Sequence, residues 1–430
     1  MRQAIISVFA LLVAAAILLG ANGLQSTLLS VRAYVEGFPL WAIGLMMSAY
    51  FGGFALGCRY APQFIRRSGH VRAFTAFASV ASAATLMHVL FVEPIFWLVM
   101  RFIAGFCFAA LHMIIESWLN EKATNENRGQ VLSVYRIADF SAVTAGQFML
   151  NIADPAGFVL FAVVSILISL SLVPVALTAA SQPMPIKSAR LDLPKLFRVS
   201  PLAAVGIFCV GLSGSSFWSL APVFVQDIGY DISAVAPVMS AMIFGGAIAQ
   251  WPIGWISDKF DRRIVIIVVA MLAALSALFV SISSSMTLGL LVLAGGCFGF
   301  FHMPLFGLGI AHANDFAEAE EFVSVNGGLL MLYGVGAVIG PNIGSQVMTF
   351  LGPAALFYFS FSVYLIVIVF GIYRMTQRAG ASAEQKEDYV AVPRTSPGVF
   401  EMDPRATEET DDEGASSQAG PPQDSGDKKA

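Results

Sequence analysis

Twelve apolar stretches run almost end to end from Ile5 to Tyr373, separated by short polar joints, and the spans after the sixth repeat those before it. A helix needs about 20 apolar residues to cross a hydrocarbon core of about 30 Å. A chain patterned in this way therefore folds inside a bilayer, and an internal duplication is how many carriers build a midplane site. Hydrophobic residues make up 57% of the chain and charged residues 12%, well outside the range of a water-soluble domain. The apolar windows place spans near Ile5–Leu29, Leu40–Cys58, Ala73–Phe91, Ile95–Leu119, Val131–Asn151, Phe158–Ala179, Leu202–Val225, Val235–Ile256, Ile264–Ser283, Met286–Ala311, Val323–Phe350 and Ala354–Tyr373. Arg2 precedes the first run as in a secretory signal, but the run is too long for one and more spans follow, so it is read as a retained helix. Cys58, Cys107, Cys209 and Cys297 fall in or beside spans without ligand-like spacing and read as packing residues.

Orientation follows from Lys and Arg in short loops. With the amino terminus inside, the inner loops receive Arg66, Arg67 and Arg72, then Lys122 and Arg128, Lys187 to Arg198, Lys259 to Arg263, and Arg374 with Arg378. Among outer connections only the first carries a basic residue, Arg32. Both termini are expected to be cytoplasmic in an inner-membrane, multi-pass protein. From Thr376 the composition shifts to Glu, Asp, Ser, Pro and Gly, including the acidic run Glu408 to Glu413, which reads as a disordered tail. The tail holds twelve acidic and six basic residues, so the rest of the chain is net positive although the whole carries −4. The expected organisation is a first six-helix bundle over 1–180, a linker over 181–200, a second bundle over 201–375 and the tail over 376–430.

The duplication is legible residue by residue. Gly20-x-x-Gly23 returns as Gly211-x-x-Gly214, and Phe51-Gly52-Gly53 as Phe244-Gly245-Gly246. Ala104-Gly105-x-Cys107-Phe108-x-x-x-His112-Met113 returns as Ala294-Gly295-x-Cys297-Phe298-x-x-x-His302-Met303. The offsets are 191, 193 and 190 residues. Six spans per half make the halves parallel, related by an axis along the membrane normal. The fold expected is an all-α membrane protein of twelve transmembrane helices in two parallel, pseudo-symmetric six-helix bundles.

This plan resembles the major facilitator superfamily. Gly254-Trp-Ile-Ser-Asp258-Lys-Phe-Asp261-Arg262-Arg263 is similar to that family's G-x-x-x-D-x-x-G-R-R inner loop, with Asp261 in place of the second Gly. The corresponding first-half loop contains Arg66, Arg67, Gly69, His70 and Arg72 but lacks the acidic residue. Arg101-x-x-x-Gly105 resembles a motif of proton-coupled members. Gly336-x-x-x-Gly340-Pro341-x-x-Gly344 resembles an antiporter signature that normally sits in span five; in span eleven it reads as a packing face. Together with Glu116-Ser-Trp-Leu-Asn120, the first-half loop resembles the bacterial YcaD-like branch. The resemblance covers about Ile5 to Arg374 and implies alternating access around a cavity lined by spans one, four, seven and ten.

Ionisable groups at bilayer depth cost on the order of 2.5–3.5 kcal/mol on insertion scales, so they should face a cavity, a partner or an interface. In span four Arg101, Gly105, Ala109, His112 and Glu116 fall within roughly 80° of the helix circumference. In span five Arg136, Asp139, Gln147 and Asn151 fall within about 120°. Arg136 and Asp139, three residues apart, can pair. A cluster of Glu116, Arg136 and Asp139 is expected with His112 just above it, either as a static brace or as the proton-coupling site. Arg101, nearer the outer face, can snorkel. His112 and His302 are symmetry mates that either line the path or are satisfied by neighbouring carbonyls. No acidic or Cys residue completes a metal ligand set around them. On the family resemblance, Asn22, Gln25 and Trp218 are candidate cargo contacts; on sequence alone they serve equally as interhelical contacts.

The function expected is a secondary active transporter, monomeric, moving a small organic solute suited to Phe-rich and Met-rich walls, with protons as the coupling ion. A non-transporting sensor or scaffold signalling through the tail is the alternative. No phosphate-binding loop and no nucleophile with a base at catalytic spacing is present, so an enzyme, a cofactor or a nucleic-acid partner is not expected.

Overall fold

Hydrocarbon offers no partner to a backbone N–H or C=O, so each apolar stretch closes its hydrogen bonds within a helix. The computed structural model describes residues 2–124, 127–176, 192–285, 287–318, 321–382 and 385–403. Twelve membrane-length helices follow one another: α1 (Arg2–Val35), α2 (Leu40–Ser68), α3 (His70–Leu90), α4 (Pro94–Lys122), α5 (Arg128–Met149), α6 (Val159–Ala176), α7 (Pro201–Asp227), α8 (Val235–Lys259), α9 (Arg262–Ser283), α10 (Leu288–Asn314), α11 (Phe322–Leu351) and α12 (Ala355–Gln377). Among the described residues there is no strand. Among the described residues eleven helices are both long and apolar enough to cross a membrane; α5 has the length, 22 residues, but carries Arg136, Asp139 and Gln147. Pro304 starts a new helical segment after Met303, while Pro222, Pro252 and Pro341 lie inside continuous helices. The expected linker contributes a short helix, Leu193–Val199, whose start is capped by Asp192, while its residues 181–191 lie outside the described residues.

The two halves repeat their packing. In the first, α1 packs on α5 and α2 on α4; in the second, α7 packs on α11 and α8 on α10. Small residues permit these approaches. An ideal Cβ on Gly105 would sit 2.0 Å from the Tyr50 carbonyl oxygen, and one on Gly299 2.0 Å from that of Met242. Gly336 and Gly340 press on α7 so closely that a Cβ would lie 2.4 Å from Phe208 O and 2.2 Å from Leu212 O, with Gly344 against the Leu220 side chain. Between halves, α2 meets α11 and α5 meets α8. Side chains such as Phe9, Ile95, Phe244, Trp251 and Phe350 remain exposed on the outside, as a lipid-facing surface requires.

The face bearing the α2–α3 and α8–α9 turns is the basic face. At the second-half turn Arg262 is fully buried and ion-paired to Asp315, also buried, and to Asp258 at 2.8 Å. It further donates to Ser257 Oγ and to the carbonyls of Ala311 and Glu387. Asp261 caps α9 through the Arg263 N–H at 3.0 Å and bonds the Arg263 guanidinium at 2.6 Å. That guanidinium holds the Asp261 carboxyl below the usual carboxylate range. Its contribution is therefore present at neutral pH and fades as pH falls through the range below about 4. The first-half turn is built differently: Gly69, at φ +79° in the left-handed region that favours glycine, separates α2 from α3. Arg66 and Arg67 are exposed there, with no ion pair among the described residues.

Two predictions follow from this packing. Gly340→Ile forces a side chain into the α7 backbone, where overpacking costs about 1–3 kcal/mol or more, whereas Gly206→Ala enters open space. The first variant should lose folded protein at a lower temperature in a heating series read by size-exclusion chromatography and the second should not; equal behaviour would contradict the close α7–α11 contact. Asp315→Ala leaves the buried Arg262 guanidinium with only the partly exposed Asp258 as counter-ion and should cost on the order of 3 kcal/mol, against less than about 1 kcal/mol for the more exposed Arg263→Ala. The same heating series checks the order, and comparable losses would rule out Asp315 as the stabilising partner.

Candidate functional site: a central cavity closed by the chain's own tail

Where the two bundles meet they enclose a cavity of about 230 Å³. Its walls are mostly aromatic and aliphatic: Phe51 and Phe54 from α2, Phe140 from α5, Trp218 from α7, and Met303, Leu330 and Met331 from the second half. Its polar groups come almost entirely from the first half, as Asn22, Ser26, His112, Arg136, Asp139 and Gln147. On the side opposite the basic face the bundles close on each other. The Ser30 hydroxyl donates to Ser219 O at 2.8 Å, Tyr34 OH donates to Asp227 at 2.8 Å, and a Cβ on Gly44 would lie 2.5 Å from Pro341 O.

Of the residues expected to contact cargo, Asn22, His112 and Trp218 line the cavity. Asn22 accepts from Tyr50 OH at 3.1 Å, and His112 lies among the rings of Phe54 and Phe108. Gln25 and His302 lie elsewhere. Gln25 is buried and donates to Thr85 Oγ1 at 2.8 Å, tying α1 to α3. His302 is stacked on Phe298, bonded through Nδ1 to the Tyr364 hydroxyl and pressed against Gly214 in the core of the second bundle. The symmetry of the two histidines is thus one of sequence and not of environment.

The expected cluster is divided. Arg136 pairs with Asp139 at 2.5 Å and stacks over Phe140 at 4.0 Å, both facing the cavity. Glu116 does not pair with Arg136. It accepts from Tyr135 OH at 3.0 Å and from the hydroxyls of Thr395 and Ser396. Neighbouring residues on a helix point about 100° apart, so Tyr135 and Arg136 cannot both face Glu116. Arg101 does not snorkel: it is 1% exposed, with its guanidinium 4.2 Å from the Tyr50 ring and 3.6 Å from the Met47 sulfur. The close approach at Gly105 brings Tyr50 over Arg101, and Tyr50 links that buried cation to Asn22 at the cavity wall.

Residues 385–403 correct the expectation of a disordered tail. They run under the basic face and into the mouth of the cavity. Lys386 donates to Phe260 O at 2.7 Å, and the Glu387 N–H to Asp315 at 3.2 Å. The Tyr389 N–H bonds Asp258 at 2.9 Å and its hydroxyl bonds Gln250 at 2.6 Å, while its ring lies against Gly254. Burial in these surroundings pushes the Tyr389 phenol well above its ordinary pKa. Arg394 and Thr395 line the cavity itself. Ser396 caps a 3-10 turn, Pro397–Met402, that buries Val399, Phe400 and Met402. The apolar residues of this piece, Val390 to Pro393 and Val399 with Phe400, supply burial that the overall acidic composition hides. The acidic run Glu408 to Glu413 lies outside the described residues.

The second-half loop motif also gains a member that sequence reasoning missed. Asp315 is the buried counter-ion of Arg262, recognisable only as an acid placed just after the end of a long apolar span. Among the described residues no group of three or more His, Cys, Asp or Glu side chains could hold a metal ion.

Comparison with known proteins agrees with this architecture. Residues 203–405 match the sequence model of the Major Facilitator Superfamily. An uncharacterized MFS-type transporter of Yersinia pestis is 28% identical over 325 residues, 75% of this chain and 84% of its own length. The uncharacterized MFS-type transporter YcaD of Escherichia fergusonii is 26% identical over 351 residues, 81% of this chain and 91% of its own. The crystal structure of the nucleoside transporter NupG superposes with a TM-score of 0.67 at 13% identity, covering 86% of this chain and 98% of that one. A bacterial homologue of the human lysosomal transporter Spinster superposes with a TM-score of 0.66 at 15% identity, covering 87% and 97%. Two pseudo-symmetric bundles around a shared cavity, the family match over the second half and the near full-length relatives describe a multi-pass membrane protein with the fold of these transporters, similar in sequence to the major facilitator superfamily and to its YcaD-like branch.

Proposed function

We propose that the protein is a monomeric secondary active carrier of a small amphipathic organic solute, that it works by alternating access, and that protons drive it. The observation that carries this reading is the Arg136–Asp139 pair facing a cavity walled mostly by aromatic and aliphatic side chains. An uncompensated charge there costs several kcal/mol. With Asp139 ionised, the pair is neutral as a unit and the cavity can change its access. Protonation of Asp139 frees the Arg136 guanidinium, which then needs water or a new partner, so proton occupancy and cavity access become coupled. The aromatic and thioether walls suit a solute with an apolar body, since pockets of this kind take binding energy from apolar burial and orientation from a few polar groups.

The basic face, with Arg66, Arg67, Arg72, Arg263, Arg374 and Arg378, is assigned to the cytoplasm by the excess of Lys and Arg that cytoplasmic loops carry. This puts both termini inside and the membrane as the inner membrane of a bacterial cell. Nothing in the reading calls for a cofactor or for nucleotide hydrolysis.

The test is proton uptake driven by solute in proteoliposomes, read with a trapped pH-sensitive dye across a panel of aromatic amines, aromatic acids and neutral aromatics. At least one compound should move protons with the unmodified chain. Asp139→Asn should abolish uphill accumulation of that compound at unchanged protein yield, while exchange without a gradient persists. Unchanged accumulation would remove Asp139 from coupling, and a panel that moves no protons at all would favour the sensor or scaffold reading.

A further inference from the structure

We propose that the cavity is built for a monocationic solute, a guanidinium or ammonium group on an apolar body, and that Arg394 of the chain's own tail occupies the cation's place. The inference deepens the carrier reading and depends on it only in calling the solute cargo.

The first observation is a charge imbalance. The cavity and its mouth hold two carboxylates, Asp139 and Glu116, against one membrane-domain guanidinium, Arg136, which is already paired to Asp139. Arg101 is not available to compensate, because it is buried behind Tyr50 and does not line the cavity. The second observation is what stands at the deficit. The Arg394 guanidinium enters the cavity 5.4 Å from the Tyr333 ring and 5.9 Å from the Phe306 ring, within reach of cation–π attraction. The next two residues, Thr395 and Ser396, cover Glu116 with their hydroxyls, so that Glu116 does not itself line the cavity. One short segment therefore brings a cation and masks the second carboxylate.

The way Arg394 is held separates it from the structural arginines. Arg262 spends its donors on carboxylates, a hydroxyl and carbonyls. Arg394 makes no hydrogen bond among the described residues, and its buried Nη1 has no partner. Its place is defined by aromatic faces and by the field of the Asp139 carboxylate, neither of which demands the directional fit of a guanidinium fork. Such a place accepts other cations of similar size. When the tail withdraws, Glu116 keeps only Tyr135 as a donor, and a second carboxyl group without a basic partner then faces the chamber, an arrangement that favours a cation over an anionic solute. Because the segment is tethered, it competes with free solute as an intramolecular ligand and needs no high intrinsic affinity.

The test compares three molecules of matched shape, 2-phenylethylguanidinium, 3-phenylpropanamide and 3-phenylpropionate, by equilibrium titration of tryptophan fluorescence, with Trp218 in the cavity wall as the expected reporter. The full chain, Arg394→Ala and a chain ended after residue 385 are titrated in parallel. Arg394→Ala and the shortened chain should each bind the guanidinium at least tenfold more tightly than the full chain, and should prefer it at least tenfold over the amide and the carboxylate. Adding Glu116→Gln to Arg394→Ala should cancel the preference. Equal affinity for the three molecules, or no gain in either tail variant, would overturn the proposal. Flux measured on the same preparations keeps the two readings apart: charge-selective binding without flux upholds the cation site and removes the carrier reading, and flux without charge selectivity does the reverse.

Discussion

Ionisable side chains that sit at the depth of the hydrocarbon must find their partners inside the protein, and this requirement organises most of what distinguishes the structure. Arg136 and Asp139 satisfy one another at the cavity wall, and Arg101 rests on the face of Tyr50; at the basic face Arg262 is likewise enclosed by Asp258 and Asp315. Glu116 is the exception within the helices, since two of its three donors come from residues 395 and 396, far along the chain. The segment that supplies them is therefore tied to the electrostatics of the membrane domain, and its burial under the basic face follows from the same requirement. Hydrophobic contact adds to it through Val399, Phe400 and Met402.

The two halves share a skeleton and divide the chemistry. Their glycine contacts recur, at Gly53 and Gly105 in one half and at Gly245 and Gly299 in the other, and keep the paired helices at backbone distance. The first half then contributes the cavity's polar groups, while the second contributes a rigid turn around Arg262 and an aromatic core around Phe298 and His302.

Much of the architecture was legible from sequence because lipid allows only one local answer for an apolar stretch, and because the repeat registers one half against the other. The Arg136–Asp139 pair was legible for the same reason, being local and spaced by three residues. What sequence could not deliver were contacts set by tertiary geometry. Helical periodicity placed Arg101 and His112 on one stripe, but which of them meets the cavity depends on how closely Gly105 lets α2 approach. Gln25 and His302 carried the polar look of path residues and are consumed by Thr85 and Tyr364. The tail misled most, since its acidic average concealed a short apolar piece with a single well-placed arginine.

The central claim is that one chamber is reached from the two faces of the membrane in turn. Ser26 lines that chamber, and Ser26→Cys in a background without Cys58, Cys107, Cys209 and Cys297 places a unique thiol there. A membrane-impermeant maleimide applied to right-side-out and to inside-out vesicles should label this thiol from both faces, with an imposed pH gradient shifting the balance between them. Labelling from one face alone, unmoved by the gradient, would contradict the account.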